Sequence, residues 1–173
     1  VGPDGGLIDA PEGRVMNPGH AIETAWFLLE VARRQGDDGL IDRATQILDW
    51  SMARGWDAQF GGLFYFIDVD GLPSPYLEHD MKLWWPHCEA LYALLLAHHL
   101  TGRAAYAEQY ERVHAWTMAH FPDPEHGEWY GYLHRDGTPS TTLKGGLWKG
   151  PFHVPRAQLL CLTLLEEMAT SPS

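Results

Sequence analysis

The amino-acid sequence predicts an all-α fold, an α/α toroid in which alternate helices form two concentric layers. The first observation is a repeat, because His20, His87 and His153 stand 67 and 66 residues apart, each close behind a Pro and at the start of a long apolar stretch. A repeat of this period that opens helices with Pro is typical of helical arrays whose helix N-termini converge on one site. The second observation is that these His-opened stretches are more apolar than the stretches between them, as expected of an inner layer.

Five helices are predicted along the chain, over residues 18–34, 40–54, 86–100, 103–120 and 154–168. The first begins at Pro18, because Asn17 is a good N-cap and Pro fits the first helical position. Pro86 opens the third helix, and Pro122 and Pro124 end the fourth. Five helices are too few to close a ring, so we expect a partial (α/α)6 barrel with short β-hairpins at the connections.

Two of those connections share a plan. The matching residues are Asp57, Gly61, Phe64, Phe66, Asp70 and Gly71 in the first and, 66 positions later, Asp123, Gly127, Tyr130, Tyr132, Asp136 and Gly137 in the second. Each connection is predicted to contain an Asp-x-x-x-Gly turn, a short strand of alternating aromatics and an Asp-Gly hairpin turn, over residues 61–76 and 129–143. Gly71 and Gly137 are the expected positive-φ residues of these turns.

The composition excludes some classes of partner. A net charge of −11, from 12 basic and 23 acidic residues, argues against nucleic acid, which needs a basic surface. The longest apolar run, residues 90–97, is too short to span a bilayer and no basic-then-apolar leader precedes it, so no membrane partner is expected. Cys88 and Cys161 lie in apolar helical patterns and are predicted to be free, buried thiols, which favours a reducing cytoplasm. A homodimer is left open, and the Gly-rich start at Val1, without a Met, leads us to interpret the chain as a fragment.

Aromatic residues and histidines are numerous, and both allow more than one interpretation. Eight Trp, seven Tyr and six Phe favour core packing, but aromatics also line sugar pockets. Trp26, Trp50 and Trp116 are predicted to be core residues from their helical spacing, whereas Trp84 and Trp85 stay open between core and sugar platform. The ten histidines form no His-x-His or His-Glu-x-x-His pattern, so no metal site is predicted. No glycine pattern of a nucleotide-binding loop is present, so no redox or phosphoryl cofactor is implied.

Three motifs resemble the N-acylglucosamine 2-epimerase family, also called renin-binding protein. They are residues 14–23 (RVMNPGHAIE), 81–90 (MKLWWPHCEA) and 149–156 (KGPFHVPR). The resemblance implies that residues 1–173 are the C-terminal portion of a single (α/α)6-barrel domain. It also implies interconversion of N-acetylglucosamine and N-acetylmannosamine, with ATP as an effector rather than a reactant.

The resemblance assigns roles to individual residues. His20 and His153 match the family's acid/base pair and Glu89 matches its essential active-site Glu, so these three are the predicted catalytic residues. Glu23 and Trp85 match positions that touch the sugar in relatives. The family also uses an Arg from its N-terminal half, which lies outside this sequence.

Two further residues are kept as substrate-binding candidates. His87 is open between a substrate contact and a supporting role. Arg156, three residues after His153, is open between a substrate contact and a structural ion pair, since a cation near a developing enediolate would be favourable.

The chemistry explains why two histidines are needed. Epimerisation at C2 of an open-chain aldose removes the proton next to the carbonyl and returns a proton to the opposite face of the enediolate. A His can act as base or acid near neutral pH, and the positive end of a helix dipole favours its base form. Two alternatives stay open: an epimerase or isomerase of unmodified hexoses or cellobiose-type disaccharides, and a non-catalytic protein-interaction fragment.

Overall fold

The computed structural model describes residues 2–170, which contain six α-helices and four two-residue strands. The helices are α1 (Pro11–Arg14), α2 (Pro18–Gln35), α3 (Asp38–Gly55), α4 (Trp84–Thr101), α5 (Ala104–His120) and α6 (His153–Thr170). The strands are β1 (Val15–Met16), β2 (Ile67–Asp68), β3 (Lys82–Leu83) and β4 (Tyr132–Leu133). The five predicted helices are confirmed with their ends within two residues of the expected positions, and the short helix α1 was not predicted.

Side-chain caps explain where the first two long helices begin. The Asn17 side chain accepts a hydrogen bond from the backbone N–H of His20 at 3.0 Å, and the Asp37 side chain accepts one from Leu40 at 3.0 Å. Each bond satisfies a backbone donor that the first helical turn leaves unpaired. The first of them also places His20 at a defined point of the first turn of α2.

The long helices form two layers. Helix α4 packs between α2 and α6 in one layer, while α3 packs against α2 and α5 against α4 in the other. Residues 84–97 of α4 are all buried, as expected of the middle helix of the inner layer. The expectation that the His-opened helices form the inner layer is therefore confirmed for the part of the chain that the structure describes.

The strands do not pair as the predicted hairpins require. Strand β1 pairs antiparallel with β2, with Val15 opposite Asp68, and β3 pairs antiparallel with β4, with Leu83 opposite Tyr132. Each ladder thus joins the segment that enters one His-opened helix to the aromatic segment of the following connection. A two-residue strand gains little stability from pairing with a local partner. Helix packing instead holds the segment before one inner helix beside the connection that leads to the following inner helix. Within residues 129–143 the local hairpin is reduced to a bridge between Leu133 and Pro139.

The turns of both connections are as expected. Gly71 has φ 75° and Gly137 has φ 88°, so both occupy the left-handed region predicted for them. A side chain at position 137 would also collide with His120, because its Cβ would lie 2.3 Å from that ring. The Asp-Gly pattern therefore located the turns correctly even though the strand partners were wrong.

The predictions for isolated tryptophans and cysteines are partly wrong. Trp26 is buried as expected, but Trp50 is 58 % exposed and Trp116 is only half-buried. Helical spacing identifies residues on one helix face, but it does not say which layer covers that face, and Trp50 lies on the uncovered side of α3. Cys88 and Cys161 are free thiols as predicted, although only Cys88 is fully buried.

The two outermost inner-layer helices expose apolar side chains at their free edges. The exposed residues are Phe27 and Val31 on α2, and Leu159, Leu162 and Leu165 on α6. Contiguous exposed apolar surface of this kind marks a face that normally packs against further protein. Among residues 2–170, no helix is both long enough and apolar enough to cross a membrane.

Candidate active site

A single side of the inner layer carries a large open cavity. Its volume is about 750 Å³, and it lies at the N-terminal ends of α2, α4 and α6. The lining residues are His20, Glu23, Tyr65, Glu78, Met81, Leu83, Trp84, Trp85, Tyr132, Trp148, Phe152 and His153. The predicted convergence of helix N-termini on one place is thus present, and four of the seven predicted site residues line the cavity.

Trp85 contacts both of the histidines that were predicted to be catalytic. Its ring centroid is 4.8 Å from that of His20 and 5.6 Å from that of His153. Gly19 allows this packing, because a Cβ at that position would lie 2.6 Å from the indole. The indole is 8 % exposed and gives the cavity an apolar surface on which a sugar ring can stack, close to both imidazoles.

His153 is held by a carboxylate. Its Nδ1 lies 2.7 Å from Oε1 of Glu89. An ionised carboxylate only accepts hydrogen bonds, so Nδ1 carries the proton and Nε2 of the neutral ring keeps its lone pair. The arrangement prepares one nitrogen of His153 to accept a proton from a substrate.

Glu89 remains ionised in a buried position because three N–H donors converge on it. Arg156 donates to Oε1 at 2.6 Å, and Trp26 donates to Oε2 at 2.7 Å. Burial by itself raises the pKa of Glu89, but the bonds from His153 and Trp26 and the charge of Arg156 outweigh burial and hold that pKa below its usual value. Glu89 is 2 % exposed and is not among the residues that line the cavity; it lies against His153, whose imidazole it can orient.

Arg156 forms an ion pair and does not line the cavity. The same guanidinium nitrogen that binds Glu89 also donates to Oε1 of Glu23 at 3.0 Å. Two carboxylates thus share one cation, which is the ion pair that was kept open for Arg156 beside a substrate contact. Ligand atoms of Glu23, Glu89 and His153 lie within 4.8 Å of one another, as a metal site would require, but the guanidinium already supplies a cation to both carboxylates.

His87, kept open between a substrate contact and a supporting role, is not among the residues that line the cavity. Its Nε2 accepts the Leu63 amide N–H at 2.9 Å and its Nδ1 donates to the Leu83 carbonyl at 2.7 Å. The ring is fully buried and packs between Trp116 and Phe121. The reason is that both ring nitrogens are bonded to backbone groups of Leu63 and Leu83, and both of these residues are buried.

Burial of His87 predicts a dependence of stability on pH. Desolvation lowers the pKa of His87 to about 3, whereas an unfolded His titrates near 6.5. Above pH 6.5 the ring is neutral in both states, but below it the unfolded chain binds a proton that the folded chain excludes, so the free energy of unfolding falls as the pH falls. We expect titration of His87 to lower the free energy of unfolding by about 3 kcal/mol between pH 7 and pH 4.

Urea unfolding at a series of pH values measures this effect. The His87→Asn protein lacks the titrating group and should lose less free energy of unfolding over the same pH range. An equal loss in both proteins would show that other groups cause the acid sensitivity.

Seven lining residues were not predicted as site residues: Tyr65, Glu78, Met81, Leu83, Tyr132, Trp148 and Phe152. Tyr132 belonged to the recurring aromatic positions, and Phe152 stands directly before His153, so a signal existed for these two. Trp148 is 78 % exposed and Phe152 is 55 % exposed, an uncommon state for aromatics that pack only in a core. Tyr65, Glu78 and Met81 reach the cavity from a connection whose path the sequence pattern does not determine.

The helical layers and the histidine-bearing cavity define the chain as a segment of an α/α toroid. The chain belongs to the N-acylglucosamine 2-epimerase family, because the family model described as N-acylglucosamine 2-epimerase (GlcNAc 2-epimerase) matches residues 1–156.

Individual relatives agree with this assignment. An N-acylglucosamine 2-epimerase from Bos taurus is 48 % identical over 169 residues, covering 97 % of this chain and 39 % of the relative, and one from Homo sapiens is 42 % identical over 162 residues, covering 93 % and 38 %. A crystal structure of a D-mannose isomerase is 25 % identical with a TM-score of 0.77, covering 88 % of this chain and 37 % of that one. The chain therefore spans about two fifths of the length of the relatives it matches.

Proposed function

We propose that the complete protein interconverts N-acetylglucosamine and N-acetylmannosamine by proton transfer at C2 of the open-chain sugar. The observation that carries the proposal is the placement of His20 and His153 in one cavity, with both imidazoles close to the Trp85 indole. Membership of the N-acylglucosamine 2-epimerase family supports the choice of substrate.

The reaction uses the two imidazoles as opposing groups. One removes the C2 proton, and the electrons of that C–H bond form the enediolate. The other imidazole, in its protonated form, delivers a proton to the opposite face of C2, which inverts the configuration. The sugar is neither oxidised nor reduced overall, so the chemistry needs no cofactor; ATP as an effector, like a homodimer, is a prediction supported by family membership alone.

The surroundings of His153 suit it to accept a proton. Glu89 stabilises the imidazolium that forms when Nε2 takes the proton, because its carboxylate lies against Nδ1. Arg156 balances the carboxylate charge, so the developing enediolate does not face an uncompensated anion. Glu23 lines the cavity one helical turn after His20, and its second carboxylate oxygen is available to accept a sugar hydroxyl.

We also propose that this chain forms part of a single (α/α)6-barrel domain. The apolar side chains exposed on α2 and α6, such as Val31 and Leu162, would be covered by further helices at both edges of the inner layer. The chain spans only part of the length of its relatives, which supports the same view.

Exchange of the C2 proton with solvent tests the proposed function. The complete protein is incubated in deuterium oxide with N-acetylmannosamine, and in parallel with cellobiose and with mannose, and the products are identified by NMR. We expect deuterium at C2 and formation of N-acetylglucosamine from the amino sugar only. Turnover of mannose or cellobiose would instead favour an epimerase or isomerase of unmodified sugars.

Two single variants complete this test. His20→Asn and His153→Asn proteins should each lose epimerisation, because each removes one of the two proton-transferring groups. The proposal fails if either variant keeps the C2 exchange rate and the epimerisation rate of the unmodified protein. His114→Asn is the matched control, since His114 lies on the outer helix α5 away from the cavity.

A further inference from the structure

The loop before α4 and the loop before α6 have the same construction. The Asp57 amide donates to the carbonyl of Gly62, and 66 residues later the Asp123 amide donates to the carbonyl of Glu128, both at 2.9 Å. Both Asp side chains also accept a backbone amide two residues further on, at 2.9 Å in each case. The two loops can therefore be compared position by position.

The loops differ in one residue that carries an unusual backbone conformation. Gly62 has φ 73°, and the matching Glu128 has φ 60°. Among residues 2–170, Glu128 is the single residue other than Gly with a positive φ. A left-handed conformation is unfavourable for a residue with a Cβ, and such strain is retained mostly where it serves a site.

The backbone amide that follows Glu128 has a different hydrogen-bond acceptor from its counterpart in the first loop. In the first loop the Leu63 amide donates to Nε2 of His87, which holds that histidine in the core. In the second loop the Trp129 amide donates at 2.8 Å to Oε1 of Glu128 instead. His153, which stands where His87 stands in the repeat, is left without this bond.

Glu128 also fixes the segment that leads into α6. Its Oε1 accepts a hydrogen bond from Nζ of Lys149 at 2.9 Å, and the same Nζ donates to the Lys144 carbonyl at 2.8 Å. The Lys149 side chain is only 4 % exposed and lies over the ring of Trp84, a residue of the cavity wall. The ion pair thus connects the second loop to a point four residues before His153.

We propose that Glu128, together with Lys149, is a positioning residue for His153. By accepting the Trp129 amide, it removes the hydrogen bond that keeps the matching His87 inside the core. By binding Lys149, it fixes the entry into α6, so that Nδ1 of His153 meets Glu89 while Nε2 stays free for substrate. This inference rests on the proposed function, in which His153 transfers the C2 proton.

The Glu128→Gly variant of the complete protein recreates the first loop in the second. We expect it to fold, to lose about a hundredfold in kcat through displacement of the imidazole, and to leave KM nearly unchanged. The nitrogen-15 NMR signal of His153 Nε2 should move from that of a free lone pair towards that of a hydrogen-bonded nitrogen. Glu128→Gln keeps an acceptor for the Trp129 amide and should recover most of the activity, whereas Glu125→Gln, an exposed change in the same loop, should have no effect.

The outcomes separate this inference from the proposed function. If His153→Asn abolishes exchange but Glu128→Gly leaves both kcat and the His153 signal unchanged, the positioning role is wrong and the proposed function stands. If His153→Asn is fully active, the proposed function fails, and the NMR signal of His153 still decides whether Glu128 controls the ring. Should Glu128→Gly fail to fold, Lys149→Met removes the same ion pair. We then expect a reduced kcat and a shifted NMR signal of His153. If both stay unchanged, the positioning role is wrong.

Discussion

Replacement of Glu89 by Gln is expected to lower kcat for C2 proton exchange in the complete protein by about a thousandfold. Three N–H groups, from His153, Arg156 and Trp26, converge on the two carboxylate oxygens. An amide has one oxygen and one NH2 group, so at least one donor would face another donor. The change also removes the negative charge that stabilises the His153 imidazolium formed during proton transfer.

Single-turnover and steady-state kinetics measure this effect, with circular dichroism to establish that the variant is folded. Glu166→Gln is the matched control, because Glu166 lies on the same helix as His153 but is exposed and outside the cavity. The control should keep its kcat. A folded Glu89→Gln protein with unchanged kcat would show that the carboxylate does not orient or stabilise the imidazole.

Replacement of Arg156 by Met is expected to lower the free energy of unfolding by about 3 to 5 kcal/mol at pH 7. The guanidinium compensates Glu89, which is 2 % exposed, and Glu23, which is partly buried. Without it, a buried carboxylate keeps its desolvation cost and loses its cation. The loss should shrink as the pH falls below about 5, since protonation of the carboxylates removes the uncompensated charge.

Urea unfolding at pH 7 and pH 4.5 measures the effect. Arg33→Met is a suitable control, because Arg33 also binds a carboxylate, Glu167, at 2.6 Å, but both side chains are about one third exposed. A pair of that kind contributes at most about 1 kcal/mol. Equal destabilisation by the two substitutions would contradict the view that burial makes the Arg156 interaction strong.

Local signals in the sequence located the helices and the turns. Asn17 and Pro18 define the start of α2 through capping and a preset φ, and Gly71 and Gly137 define their turns because few other residues adopt a positive φ. These effects act over a few residues, so they can be recognised without knowledge of distant partners. The repeat then placed His20 and His153 at helix starts, and family resemblance distinguished them from ordinary caps.

Strand pairing and helix orientation could not be obtained in this way. The partner of β1 lies some fifty residues away, and only packing of α2 beside α4 brings the two segments together. The periodicity of α3 identified Trp50 as part of an apolar face without indicating that no other layer covers it. His87 matched the repeat, but its hydrogen bonds with the Leu63 amide and the Leu83 carbonyl hold it in the core, and Trp85 lines the cavity.

By itself, the sequence determined the helix boundaries, the inner-layer helices, the family and the two histidines at the cavity. Capping, apolar periodicity and motif spacing depend on residues that are close together in the chain. The tertiary structure alone decided which residues support those histidines. Glu89 on α4 bonds His153 and Arg156 on α6, and Glu128 bonds Lys149 from a loop, so these contacts exist only after packing. The reason is physical: a hydrogen bond or ion pair depends on distance in space, and distance in space between separate elements is set by how their apolar faces pack.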